Sequence, residues 1–329
     1  MHTPAMRTPA LTRATHRAAR RATRARATHC ATHRIPLLAL LLSALQLFSL
    51  SALSFPAPLK PDTAELAAIT TARYPDADGV IVEQIARTHY AADGTAASHF
   101  EFVIKILTEK GLRESRMFNF HYNIFYEDTA ITLAQLIHHD GTATPIDIAA
   151  NTKEMTDRSM MGMNIYDPDN KILTLAIPGL KIGDTLHIIK ETTTKRPRMK
   201  DTFCDWQSFE HTSPVIRCTY EIRGPKGKPL LATAVLDKIK DSITATTRDE
   251  GDDRVYTWTA RDIPQAFPEP SMPAFSISTQ RLLVSTAANW EDVSKWYSAI
   301  SEPHLAPTPE IRAKVAELIA PPGDRRAED

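Results

Sequence analysis

The chain has 329 residues, 43% of them hydrophobic and 24% charged, which supplies apolar material for one large domain or two smaller ones. Its 39 basic and 39 acidic residues cancel to a formal net charge of zero, which excludes a whole-molecule field drawing it to nucleic acid or acidic lipid. The balance hides an asymmetry. No acidic residue precedes Asp62, whereas Arg7, Arg13, Arg17, Arg20, Arg21, Arg24, Arg26 and Arg34 crowd the first 34 positions, so the remainder is net acidic.

Residues 1–54 read as a basic n-region followed by a signal peptide. The stretch 35–53, IPLLALLLSALQLFSLSAL, carries no charge, and Ala52-Leu53-Ser54 offers small residues at the two positions a signal peptidase reads. The expectation is export to the periplasm or beyond. The alternative is an uncleaved inner-membrane anchor formed by 35–53, because the run is close to the ~20 residues that span a bilayer. Cys30 precedes the apolar run, so lipid attachment there is not supported.

Residues 55–73 form a linker with a short helix, apolar at near-helical spacing from a possible Asp62 cap. After Tyr74 the period changes from 3.6 to 2. Val80–Tyr90 and Ser98–Leu107 flank Asp93-Gly94, and Ile131–His138 and Thr142–Ile148 flank Asp140-Gly141, two hairpin signals. Met117–Phe125 alternates aromatic with polar residues. Ile172–Ile177, Asp184–Glu191, Val215–Arg223, Leu230–Leu236 and Arg254–Ala260 complete a set of short strands over 74–262. Without interleaved long helices they predict a mainly β fold, an antiparallel β-sandwich with short C-terminal helices.

A proline-rich connector is expected over 263–289, where Pro264, Pro268, Pro270 and Pro273 favour an extended strap. Residues 290–329 read as a helical tail, with helices over Trp290–Ile300 and Pro309–Ile319.

These segments resemble a bacterial domain-of-unknown-function family that lies directly before transglutaminase-like domains in exported proteins. The resemblance spans roughly residues 73–300. It rests on collinear stretches: KILTEKG at Lys105–Gly111, IPGLKIGDTL at Ile177–Leu186, SPVIRCTYEIRGPKG at Ser213–Gly227, YTWTARDIPQAFPEPSMP at Tyr256–Pro273 and VSTAANWEDVSKWY at Val284–Tyr297. It implies an accessory module without catalytic residues, since the chemistry of such proteins belongs to the papain-type Cys-His-Asp site of the following domain. The implied partner is a transglutaminase-like domain, and the helical tail would lead toward it. A natural stand-alone copy and a split gene both fit this reading.

The residues that could carry chemistry are few. Cys204 and Cys218 are the only cysteines after residue 54, and in an exported protein they either pair around Ser213-Pro214 or remain buried thiols. Cys204 and His211 lie seven apart around a turn, with nothing to form an oxyanion hole. Lys195, Arg196, Arg198 and Lys200 make the basic cluster of the mature chain, an anion-contacting loop for cell-envelope polymer or membrane, or else a solvated loop. His138-His139, Met160–Met163 and Asp167–Asn170 lack the spacing of metal sites, and Gly224–Lys228 lacks that of a phosphate loop. No catalytic residue, cofactor or metal is expected. The alternative function is a hydrolase or peptidase with an unrecognised site.

Overall fold

Residues 79–106 set the architecture. Gly79–Tyr90 (β1) and Ala96–Ile106 (β2) pair antiparallel over their whole length, and the turn between them places Gly94 at φ +86°, where a side chain is strained. A Cβ there would also meet the Thr202 carbonyl oxygen at 2.6 Å. The computed structural model describes residues 55–236, 241–274 and 278–319. The leader expected over 1–54 lies outside the described residues.

Twelve further strands follow: Met117–Asn123 (β3), Glu127–Ile137 (β4), Ala143–Pro145 (β5), Thr152–Thr156 (β6), Asn170–Ala176 (β7), Thr185–Thr194 (β8), Cys204–Ser208 (β9), Val215–Pro225 (β10), Ala232–Leu236 (β11), Ile243–Glu250 (β12), Asp253–Ile263 (β13) and Arg281–Ser285 (β14). An eight-stranded sheet runs β12-β13-β10-β1-β2-β8-β4-β5, and two three-stranded sheets run β11-β14-β9 and β3-β7-β6. Pairing is antiparallel with one exception. β1 and β10 run parallel, from Ile81↔Val215 to His89↔Arg223, which corrects the expectation of purely antiparallel sheets.

The alternation of strand side chains gives the large sheet two different faces. On the inner face Ile104, Ile106, Leu186, Ile188, Tyr220, Ile222 and Trp258 share one core with Leu175 of β7 and with Leu282 and Val284 of β14. Both small sheets therefore cover this face, as in a sandwich. Burying each such aliphatic side chain stabilises by roughly 1.5–3 kcal/mol, so this layer dominates cohesion.

On the outer face, Thr63–Ala68 (α1) and the irregular segment before it cover part of the sheet. Asp62 caps α1 by accepting from the Ala64 amide, and Leu66 and Ile69 pack with Val80, Val82, Val103, Leu107 and Ile137. Arg217 of β10 fixes the helix: its guanidinium donates to both carboxylate oxygens of Glu65 at 2.5 and 2.7 Å and to Glu83. That fork holds the Glu65 carboxyl below its ordinary range.

Short helices Glu109–Glu114 (α2) and Ile148–Asn151 (α3) fill connections. Thr108 caps α2 through the Gly111 amide, and Gly111 is required there because a Cβ would collide with the Asp78 carbonyl. The described part of the connector before residue 281 is largely irregular, with a turn at Pro270–Ser271, whereas Arg281–Ser285 is the central strand of a small sheet. The chain continues into Trp290–Leu305 (α4) and Pro309–Ile319 (α5), neither of which contains a buried residue.

Candidate functional site

The large sheet carries ionisable side chains into its interior on both faces. On the outer face β2 points His99 and Glu101 toward the segment before α1, and β8 points His187 beside them. Glu101 Oε1 accepts from His187 Nε2 at 2.8 Å and from the Leu59 amide at 2.8 Å, with His99 Nε2 3.7 Å from its other oxygen. Burial opposes the Glu101 charge, but the His187 bond and the neighbouring donors outweigh it and hold the carboxyl down at about 2. Gln135 engages the second His187 nitrogen at 3.1 Å, and the Phe55 ring lies 5.1 Å from that of His99. The cluster is sealed from solvent. It fastens the N-terminal segment to the sheet.

Farther along the same face, Lys105 donates from Nζ to the Leu66 carbonyl at 2.5 Å, a cation on the last turn of α1. Burial lowers its pKa. A pocket of about 180 Å³ opens there, lined by Lys105, His138 and His139 among others, but His138 is already committed to Asp184 and Thr144.

On the inner face Tyr220 donates to Asp205 Oδ2 at 2.5 Å, and the Trp206 amide donates to Oδ1 at 2.7 Å. Burial pushes Asp205 up despite these bonds, and it pushes the Tyr220 phenol up as well. Lys190 sits between the Phe100 and Phe120 rings, 5.9 and 5.6 Å from their centroids, with its ammonium pKa lowered by desolvation. Perturbed groups of this kind occur at active sites, yet these line neither of the two pockets described. Their visible role is to join β8, β9 and β10 inside the sandwich.

The cysteines do not pair. Cys204 is an exposed free thiol on β9, opposite Ser285 of β14, whereas Cys218 is a buried free thiol on β10, between Gln84 of β1 and Ala260 of β13. They occupy different sheets, and the disulfide the sequence allowed is not formed. Burial raises Cys218 to about 12, and partial desolvation, helped by Asp205, raises Cys204, the reverse of nucleophile activation.

His211 instead lines a second pocket of about 200 Å³ with Asp78, Phe102, Glu114, Ser115 and Ser213. Burial lowers its pKa to about 4, and its Nε2 is buried without a hydrogen-bond partner. A neutral imidazole can accept one hydrogen bond there. Among the described residues no group of three or more His, Cys, Asp or Glu side chains is arranged to hold a metal ion.

The basic loop is ordered against the β3–β4 turn. The amides of Lys195 and Arg196 both donate to the Tyr126 carbonyl, the Arg196 guanidinium lies 4.6 Å from the Phe125 ring centroid, and that of Arg198 lies 4.3 Å from Tyr126. Lys195 pairs with Asp128 at 2.7 Å. Arg196, Arg198 and Lys200 are exposed and have no carboxylate partner among the described residues. Alternation of aromatics over Met117–Phe125 was visible in the sequence, but the stacking of the loop upon that turn was not.

The model of a domain of unknown function with a solved structure, DUF3857, matches residues 92–267, more than half of the chain. The chain belongs to the DUF3857 family. No curated protein matches it. Its fold is similar to that of a putative protease from Parabacteroides distasonis, with a TM-score of 0.58, 20% identity, and coverage of 65% of this chain and 41% of that one. This chain therefore spans about two-fifths of the length of that protein. An M1 zinc metallopeptidase from Deinococcus radiodurans (TM-score 0.32, 9% identity, 63% and 42% covered) and leukotriene A4 hydrolase from Saccharomyces cerevisiae (0.30, 11%, 69% and 33%) match at scores too low to show a shared fold.

Proposed function

We propose that this DUF3857 protein is an exported, non-catalytic β-sandwich module that packs against a transglutaminase-like domain through its C-terminal helices. The observation that carries the reading is the state of α4 and α5. Trp290, Tyr297, Ile300, Ile311 and Val315 are all exposed, on helices that bury no residue. Apolar side chains repeating at three- and four-residue spacing on two successive helices need a covering surface. The sequence resemblance to modules that precede transglutaminase-like domains supplies the identity of that surface. The body contributes rigidity: its ionisable clusters are closed within the sheets, and its thiols are shifted away from nucleophilic chemistry.

The test is to mix the purified chain with the transglutaminase-like domain encoded nearest to it and to follow complex formation by size-exclusion chromatography. A complex is expected, weakened tenfold or more by Tyr297→Ser with Ile300→Ser, since hot-spot truncations cost about 2 kcal/mol each. Unaltered elution of both partners would overturn the reading. The same preparation should be assayed for amide hydrolysis. Turnover abolished by His211→Ala would favour an enzyme working from the second pocket.

A further inference from the structure

In the outer-face pocket between α1, the turn after β4 and the turn before β8, we infer a binding site for a small oxyanion, of the size of phosphate or a short carboxylate. The pocket, about 180 Å³, is lined by Leu66 and Ala67 of α1, by Lys105 and Thr185, and by His138 and His139 among others. Lys105 of β2 and Thr185 of β8 stand directly opposite each other in the ladder, so their side chains share the face on which the pocket lies. Lys105 is only 7% exposed. Its ammonium carries three donors, and among the described residues one acceptor takes one of them, the Leu66 carbonyl at 2.5 Å. A cation buried this deeply with two donors unused is costly unless an anion completes its shell.

No carboxylate lines the pocket. Burial lowers the Lys105 pKa, and no neighbouring carboxylate acts against it. The acids of the surrounding elements are otherwise engaged. Asp184 accepts from His138 and from the Lys181 amide, each at 2.9 Å, one on each oxygen. Asp140 accepts from the amide and hydroxyl of Thr142 and acts on the two histidines, Asp62 caps α1, Glu65 is forked by Arg217 and Glu101 takes His187. Asp62 and Asp140 lie in water, where screening weakens their repulsion of an anion inside the pocket. Both ring nitrogens of His138 are committed, whereas the exposed His139 makes no side-chain bond among the described residues and has a ring N–H to donate. The volume sets the size of the ligand, since pockets for drug-sized molecules start at roughly 300 Å³. An oxyanion of that size supplies both the missing charge and the missing acceptors. No residue of α4 or α5 lines the pocket, so the site is separate from the interface assigned above to a transglutaminase-like partner.

The full chain, kept in solution by a non-ionic detergent because of its apolar stretch 35–53, should be titrated with sodium phosphate, sodium acetate and sodium chloride at one ionic strength, with hydrogen exchange as the local readout. We expect phosphate, acetate or both to protect residues 63–68 and 138–144 saturably, with no such effect of chloride, and the more effective of the two names the class of oxyanion. Lys105→Met should raise the anion concentration for half-protection about tenfold or more, as the loss of a charged donor does, and His139→Ala should raise it about threefold with the unfolding midpoint unchanged. Failure of both oxyanions to protect the wild-type chain beyond chloride would overturn the proposal. So would an unchanged half-protection concentration in folded Lys105→Met, which would put the anion elsewhere. If Lys105→Met does not fold, because it also loses the bond to Leu66, His139→Ala decides, and an unchanged concentration in that variant overturns the site.

Discussion

Glu101 shows how one side chain can couple the N-terminal segment to acidity. Its carboxyl is held at about 2 against an ordinary 4.5, so it contributes stability that is complete above pH 4.5 and is lost as the pH falls toward 2. Glu101→Gln should therefore destabilise the protein by about 3 kcal/mol at neutral pH, because a neutral amide replaces the charged acceptor shared by His187 and the Leu59 amide in a buried site. In urea unfolding at pH 7, 4.5 and 2.5, the gap between wild type and variant should narrow as the pH falls. A gap that stays constant would show that the native carboxyl is not depressed. The sequence marked Ser98–Leu107 as a strand, but it singled out none of His99, Glu101 and Lys105, which share one face of it and need a cover. Leu59, Phe55 and α1 supply the cover from elsewhere in the chain, a tertiary effect that no local pattern carries. By contrast, Asp93-Gly94 and Asp140-Gly141 announced their turns, because positive φ has few residue types that adopt it, and both glycines do so.

At the scale of elements, legibility followed amphipathicity. β1, β2, β4, β8, β10 and β13 all match predicted runs, since each alternates or is continuously apolar against the inner core. β12, with the sequence ITATTRDE, has mainly exposed residues and a hydrogen-bonded neighbour on one side only, so its sequence resembles a solvated linker. β14 was hidden by the prolines before it. The pairing of β1 with β10 was illegible for a different reason: parallel partners share no turn and lie far apart in sequence. The C-terminal helices, whose starts were read correctly, yield a prediction of their own. Since α4 and α5 bury no residue, a chain ending at Ala288 should keep its unfolding midpoint within a few degrees in a thermal melt. A fall of ten degrees or more would mean that the helices support the body and that their apolar faces are not reserved for a partner.

For the whole molecule, the N-terminal segment is tied to stability. Phe55 and Leu59 already contact the sheet, beside the His99 ring and at the Glu101 carboxylate. The cleavage site read from the sequence at Ala52-Leu53-Ser54 predicts that N-terminal sequencing of the mature protein places its start at or just before Phe55. A start beyond Leu59 would remove the amide that Glu101 accepts and would separate cleavage from the fold described. The candidate sites were less legible than the fold. Composition identified the basic loop, but only packing revealed its aromatic bed, and the two thiols could not be assigned to different sheets before the strand order was known.

The parallel pairing of Ile81 with Val215 also dictates a timetable. Closing so long a loop costs about 2 kcal/mol more in chain entropy than closing a hairpin. Until the segment from Val215 has been made, β1 has one row of amides and carbonyls open to any strand that meets it. A chain in this condition is a natural client for a holdase chaperone, and interruption of synthesis before that segment would leave an adhesive, aggregation-prone half-sheet.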